Sequence, residues 1–123
     1  MLELARINDS NFILASSSHV YGQPDFLPIN ENSSLNPISV HAKSKVKAEL
    51  LCEEYSKLYG LEIKIIRSFS IFGSNSPPYS IISRITNQIL NHQKIILGNI
   101  QTKRDFLHIS DFLTAIDILI KTN

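Results

Sequence analysis

Phe12-Ile13-Leu14-Ala15-Ser16-Ser17-Ser18 is the stretch on which the fold turns. Four consecutive apolar residues closed by three serines suit a strand buried on both faces, as in a parallel sheet; a half-solvated strand would alternate instead. Upstream, Leu2, Leu4, Ala5 and Ile7 read as the last turns of a helix. Asn8-Asp9-Ser10-Asn11 then breaks it, because these side chains compete for backbone hydrogen bonds. Downstream, the segment from Tyr21 to Pro37 is rich in Pro, Asn and Ser and reads as a long surface loop. From about Ser39 to Tyr59 the pattern is helical, with Val46, Leu50, Leu51, Tyr55, Leu58 and Tyr59 as its apolar stripe and Gly60 at its end. Ile63, Ile65 and Ile66 form a second strand, ending in Arg67-Ser68-Phe69, and Phe72-Gly73-Ser74-Asn75 is a turn. A further helix is expected over Ser80 to Asn91, a third strand over Lys94 to Gly98, and a fourth over Phe106 to Ile109. The last helix is expected from Asp111, burying Leu113, Ile116 and Leu119 or Ile120. Such alternation of strand and helix predicts an α/β layer architecture.

The composition narrows what such a chain does. Its 123 residues amount to a little under one domain, and 43% hydrophobic with 19% charged residues is ordinary for a globular protein. A formal net charge of +1 excludes a general nucleic-acid or membrane-surface binder, and no basic stripe with interleaved aromatics is present. No apolar run approaches the ~18 residues that a membrane helix needs, and the opening Met-Leu-Glu-Leu-Ala-Arg has no apolar signal core. The lone Cys52 excludes a disulfide framework and a thiolate zinc cluster and fits a reducing compartment, so a cytoplasmic location is expected. His19, His41, His92 and His108 lack metal-ligand spacing, so no metal site is expected. No Gly-x-Ser-x-Gly elbow supports a hydrolase.

Four segments occur in an order that resembles the extended short-chain dehydrogenase/reductase family, the NAD-dependent nucleotide-sugar epimerases and dehydratases. Ser16-Ser17-Ser18-His19-Val20-Tyr21-Gly22 is similar to its strand-end Ser-Ser-x-x-Val-Tyr-Gly. Pro37-Ile38-Ser39-Val40-His41-Ala42-Lys43-Ser44-Lys45, followed by Glu49, resembles its Pro-x-Ser-x-Tyr-x-x-Ser-Lys-x-x-x-Glu helix. Arg67-Ser68-Phe69-Ser70-Ile71-Phe72-Gly73 resembles Arg-x-Phe-Asn-x-Tyr-Gly, and Arg104-Asp105-Phe106-Leu107-His108-Ile109-Ser110-Asp111 the Arg-Asp-Phe strand near the sugar-nucleotide site. The resemblance covers nearly all of 1–123 but corresponds to the middle of such a protein. It implies the second half of a Rossmann-like parallel sheet with flanking helices plus the start of the substrate-binding region. The Gly-rich N-terminal half and the C-terminal end lie outside this partial domain.

Three departures qualify it. The dinucleotide fingerprint is absent: Gly22, Gly60, Gly73 and Gly98 are too far apart to cradle a pyrophosphate. The catalytic tyrosine position holds His41, and the asparagine of the third motif is Ser70.

The resemblance implies roles residue by residue. Ser17 hydrogen-bonds the reacting sugar hydroxyl, and Lys45, one helical turn after position 41, holds the nicotinamide ribose. In the family a tyrosine at position 41 exchanges a proton with that hydroxyl while hydride moves to the cofactor. His41 is either a substitute acid/base, since imidazole titrates near neutrality, or a helix-start histidine with no catalytic role. Ser16 and Phe69 lie along the cofactor. Ser70 and Arg104 meet the sugar nucleotide, Arg104 through paired hydrogen bonds to the diphosphate unless an ion pair with Asp105 or Asp111 occupies it. Ser18 and His19 replace the Asp-Glu of the dehydratases, which disfavours carboxylate-driven dehydration. Glu49 either pairs with Lys45 or caps a dimer face. The implied cofactor is NAD or NADP, though without the Gly-rich half this chain is not expected to bind it or turn over alone. The implied partner is a nucleotide-sugar small molecule. A homodimer through the 41–59 helix, or a non-catalytic sugar-nucleotide-binding or assembly module, is the alternative.

Overall fold

The computed structural model describes residues 1–122. Its backbone divides into two compact units, Met1–Ser68 and a second from Phe69 onward.

The first unit is a βαβ crossover with a helix ahead of it. Helix α1 spans Leu2–Ile7, strand β1 Phe12–Ala15, helix α2 Val40–Tyr59 and strand β2 Ile63–Ile66. A short 3-10 turn, Ser18–Tyr21, follows β1. β1 and β2 pair in parallel, with Phe12 opposite Ile63 and Ala15 opposite Ile66. Pairing continues past both strands, where Ser16 N–H donates to the Ile66 carbonyl at 2.8 Å and Ser18 N–H to the Ser68 carbonyl at 2.9 Å. Parallel strands cannot be joined by a tight turn, and α2 is the crossover that joins them. Its ends are capped as the sequence predicts. Ser39 Oγ accepts from Ala42 N–H at 3.1 Å, and Gly60 adopts the left-handed conformation (φ 68°).

The face that α2 buries differs from the expected stripe. Ala42, Glu49 and Cys52 point inward and join Ala5, Val20, Tyr21 and Leu61 in the core. Val46 and Tyr55 are half-buried, but Leu50, Leu51, Leu58 and Tyr59 are each at least 50% exposed. The inward positions are small or carry one buried charge, so a reading by hydrophobicity alone picks the wrong side. Ahead of α2, the loop is closed at Gly22 (φ 61°), where a Cβ would stand 2.0 Å from the Asn36 carbonyl oxygen.

In the second unit, strand β3 spans Ser70–Phe72, helix α3 Ile81–Leu90, strand β4 Phe106–His108 and helix α4 Ile109–Lys121. β3 and β4 pair in parallel, Ser70 opposite Phe106 and Phe72 opposite His108. The strand expected at Lys94 to Gly98 does not form. The Ile96 N–H donates to Gln88 Oε1, and Gln88 Nε2 donates to the Ile96 carbonyl at 3.2 Å, so a side-chain amide takes the place of a neighbouring strand. β3, which begins with a serine, was not expected. Helix α4 starts two residues before Asp111, and its half-buried positions are Ile109, Phe112, Ile116 and Leu119, while Leu113 and Ile120 are exposed. Among the described residues no helix is long and apolar enough to cross a membrane.

Candidate active site

The end of β1 gathers the expected reaction-centre residues of the first unit. Ser17 is half-buried and caps the 3-10 turn, its Oγ accepting from the His19 N–H at 3.2 Å. That leaves the Ser17 hydroxyl proton to donate elsewhere. His41 sits in the first turn of α2, exposed, with its ring edge-on to that of His19 at 6.4 Å between centroids. One turn further, Lys45 Nζ donates to the Ala15 carbonyl at 2.7 Å, which holds the ammonium over the strand end two residues before Ser17.

Behind them lies a polar network. Glu49 is only 2% exposed. Its carboxylate accepts from Ser16 Oγ and from Arg67, whose Nη2 reaches Glu49 Oε2 at 2.8 Å and whose Nε reaches Oε1 at 3.1 Å. Arg67 Nη1 also donates to the Tyr21 hydroxyl at 2.9 Å and to the Glu31 carbonyl at 3.0 Å, and its guanidinium lies 5.1 Å from the centre of the Tyr21 ring. The hydrogen bond to Glu49 raises the Arg67 pKa above its ordinary value, against the opposing effect of burial. Glu49 therefore pairs with Arg67, and neither Lys45 nor a surface takes it. The Ser16 hydroxyl is committed to this network. Burial, with the Glu49 charge adding to it, pushes the neighbouring Cys52 thiol above its usual range. Glu49 and Arg67 lie in two of the quoted motifs, but their spacing gave no sign that they meet.

In the second unit, Ser70 and Arg104 line one cavity of about 440 Å³, together with Phe72, Tyr79, Arg84 and Thr102. Arg104 forms no ion pair with Asp105 or Asp111 among the described residues; Asp111 accepts instead from the Ser110 hydroxyl at 3.1 Å. Phe69 is partly exposed at the start of this unit. Ser70, its backbone fixed by a bond to the Asp105 carbonyl at 3.1 Å, presents a short hydroxyl to the same space.

The profile of the NAD dependent epimerase/dehydratase family matches residues 1–123. This chain belongs to that family. An uncharacterized UDP-glucose epimerase of Bacillus subtilis, YtcB, is 35% identical over 118 residues, covering 94% of this chain and 37% of the relative. UDP-glucuronic acid decarboxylase 1 of Danio rerio is 32% identical over 131 residues, covering 100% of this chain and 31% of the relative. The crystal structure of UDP-glucuronic acid 4-epimerase from Bacillus cereus, in complex with UDP-glucuronic acid and NAD, superposes with a TM-score of 0.87 at 27% identity, covering 99% of this chain and 39% of that one. The chain thus spans less than half the length of these family members. Its α/β architecture with parallel strands and flanking helices is that of the Rossmann-fold epimerases.

The family implies a nicotinamide dinucleotide, and the residues present fit only part of one. Lys45, the residue expected at the ribose, has its side chain held by a hydrogen bond to the Ala15 carbonyl. Among the described residues no glycine cradle awaits a pyrophosphate: an added Cβ at Gly22 or Gly73 meets other parts of this chain, and Gly60 only ends a helix.

Proposed function

We propose that this chain supplies the proton-handling and diphosphate-binding segments of an NAD- or NADP-linked nucleotide-sugar epimerase. Ser17 donates its hydroxyl proton to a sugar oxygen. His41 exchanges a proton at the same hydroxyl in place of a phenol, and Lys45 holds its charge beside them and meets the nicotinamide ribose. In the second unit, Ser70 and Arg104 bind the sugar nucleotide. The observation that best supports this reading is the Lys45 tether, which keeps a cation one turn from position 41 and at the strand end that presents Ser17. Hydride transfer is the nicotinamide's chemistry, and no step is assigned to it on these residues. The buried, unpaired Cys52 supports a cytoplasmic setting.

Calorimetric titration of the 123-residue chain with UDP-, GDP- and dTDP-sugars, then with NAD, tests the reading. A nucleotide sugar should bind, NAD should not bind measurably, and no epimerisation should follow. Binding of none of the sugar nucleotides would sink the proposal, and NAD-dependent turnover would sink the inactivity. His41→Tyr, supplied with a Gly-rich first half, should gain activity over the histidine form.

A second reading draws on the exposed Leu50, Leu51 and Leu58 of α2, which suit a non-catalytic or dimerising role with a second copy of this helix. Light scattering that finds a strict, folded monomer removes it.

A further inference from the structure

We propose that Arg84 is a second anion-binding residue of the cavity lined by Ser70 and Arg104, and that the two guanidinium groups together select a nucleoside diphosphate over a monophosphate. This rests on the assignment of that cavity to the sugar nucleotide and extends it to a residue outside all four motifs.

Arg84 lies in the first turn of α3, where its N–H donates to the Ser80 carbonyl at 2.9 Å, so its backbone is fixed. It lines the same 440 Å³ space as Arg104, which stands just ahead of β4. That volume falls in the range of roughly 300–1,000 Å³ that small-molecule sites occupy. The acids of this unit are Asp105, Asp111 and Asp117. Asp117 is taken by Lys121, Asp111 accepts from Ser110, and neither arginine has a carboxylate partner among the described residues. Two like charges on one cavity repel each other until an anion bridges them. A guanidinium donates parallel hydrogen bonds to one phosphoryl group, so two of them match two linked phosphoryl groups and leave a single phosphate half-satisfied. Tyr79, exposed on the same wall, offers a ring face to a nucleobase. Because both arginines are open to solvent, salt should weaken the attraction.

The test is calorimetric titration of the full chain with UDP, UMP and uridine at low ionic strength. UDP should bind at least roughly tenfold more tightly than UMP. Arg84→Gln should weaken UDP by roughly tenfold and collapse the preference over UMP, and Arg84→Lys should restore part of it. Lys94→Gln, the same charge change outside the cavity, should leave UDP affinity as it is. Arg84 is exposed and in no ion pair among the described residues, so the helical circular dichroism of the variant should match that of the parent. Unchanged UDP affinity in Arg84→Gln beside a loss in Arg104→Gln overturns this inference and leaves the cavity's assignment standing. An equal loss in Lys94→Gln also overturns it, since charge alone would then be responsible. Failure of the unaltered chain to bind UDP overturns this inference, and failure to bind the UDP-, GDP- and dTDP-sugars as well overturns the cavity's assignment.

Discussion

Glu49 and Arg67 leave water together, and each depends on the other for it. Removing one partner of such a pair strands an uncompensated charge, whereas replacing both with apolar groups of similar volume does far less harm. Glu49→Ala should therefore cost about 3 kcal/mol in urea denaturation, and Glu49→Met with Arg67→Met should recover much of that loss. Equal destabilisation by the single and double variants would show that the pair is not the source. Cys52, one turn further along α2, adds a pH dependence. Its thiol is raised above the ordinary 9.0, first by burial and then by the Glu49 charge. The folded chain then keeps this proton at pH values where the unfolded chain releases it. The contribution is fully present below pH 9.0 and is lost as pH rises through the folded value. Unfolding free energy above pH 9.0 should fall more steeply in the parent than in Cys52→Ala; parallel curves would contradict it. The positions of Ser17 at the end of β1 and of Lys45 one helical turn after position 41 were legible from motif and helical spacing. The pairing of Glu49 with Arg67 and the shared cavity of Arg84 and Arg104 were not, because periodicity describes neighbours along an element and says nothing of which distant charges come together.

At the scale of elements, β1, α2 and α3 could be read because each carries its own stop signal: three serines, Gly60, and the polar pair Asn91-His92. Two misread strands in the second unit share a cause. Lys94 to Gly98 has the composition of a strand but finds its backbone partner in the Gln88 amide, while Ser70–Phe72 becomes a strand because β4 is there to pair with it. Strand formation is decided by partners as much as by propensity. Gln88→Ala should thus accelerate hydrogen exchange at the Ile96 amide by at least roughly tenfold while α3 amides keep their protection. Unchanged exchange at Ile96 would mean that something other than Gln88 shields it.

Across the molecule, burial is uneven. Ala5, Val20, Tyr21, Ala42, Cys52 and Leu61, the buried apolar residues, all belong to the first unit; among the described residues from Phe69 onward none is fully buried. Protection from exchange tracks buried contacts. Amides of β1, α2 and β2 should exchange distinctly more slowly than those of β3, α3 and β4, and a single uniform class would refute that. The two sheets are each only two strands wide. Their α/β character was legible because strand and helix alternate, but the share of core held by each was not, since apolar content is high in both.

The Glu49–Arg67 contact also restricts how this sequence can drift. A neutral replacement at position 49 leaves Arg67 as a half-buried cation without its carboxylate, and one at position 67 leaves a buried anion, so any route that loses the pair one member at a time passes through a damaged intermediate. Lineages that keep this crossover should change the two sites in concert or keep both, whatever becomes of the histidine at position 41.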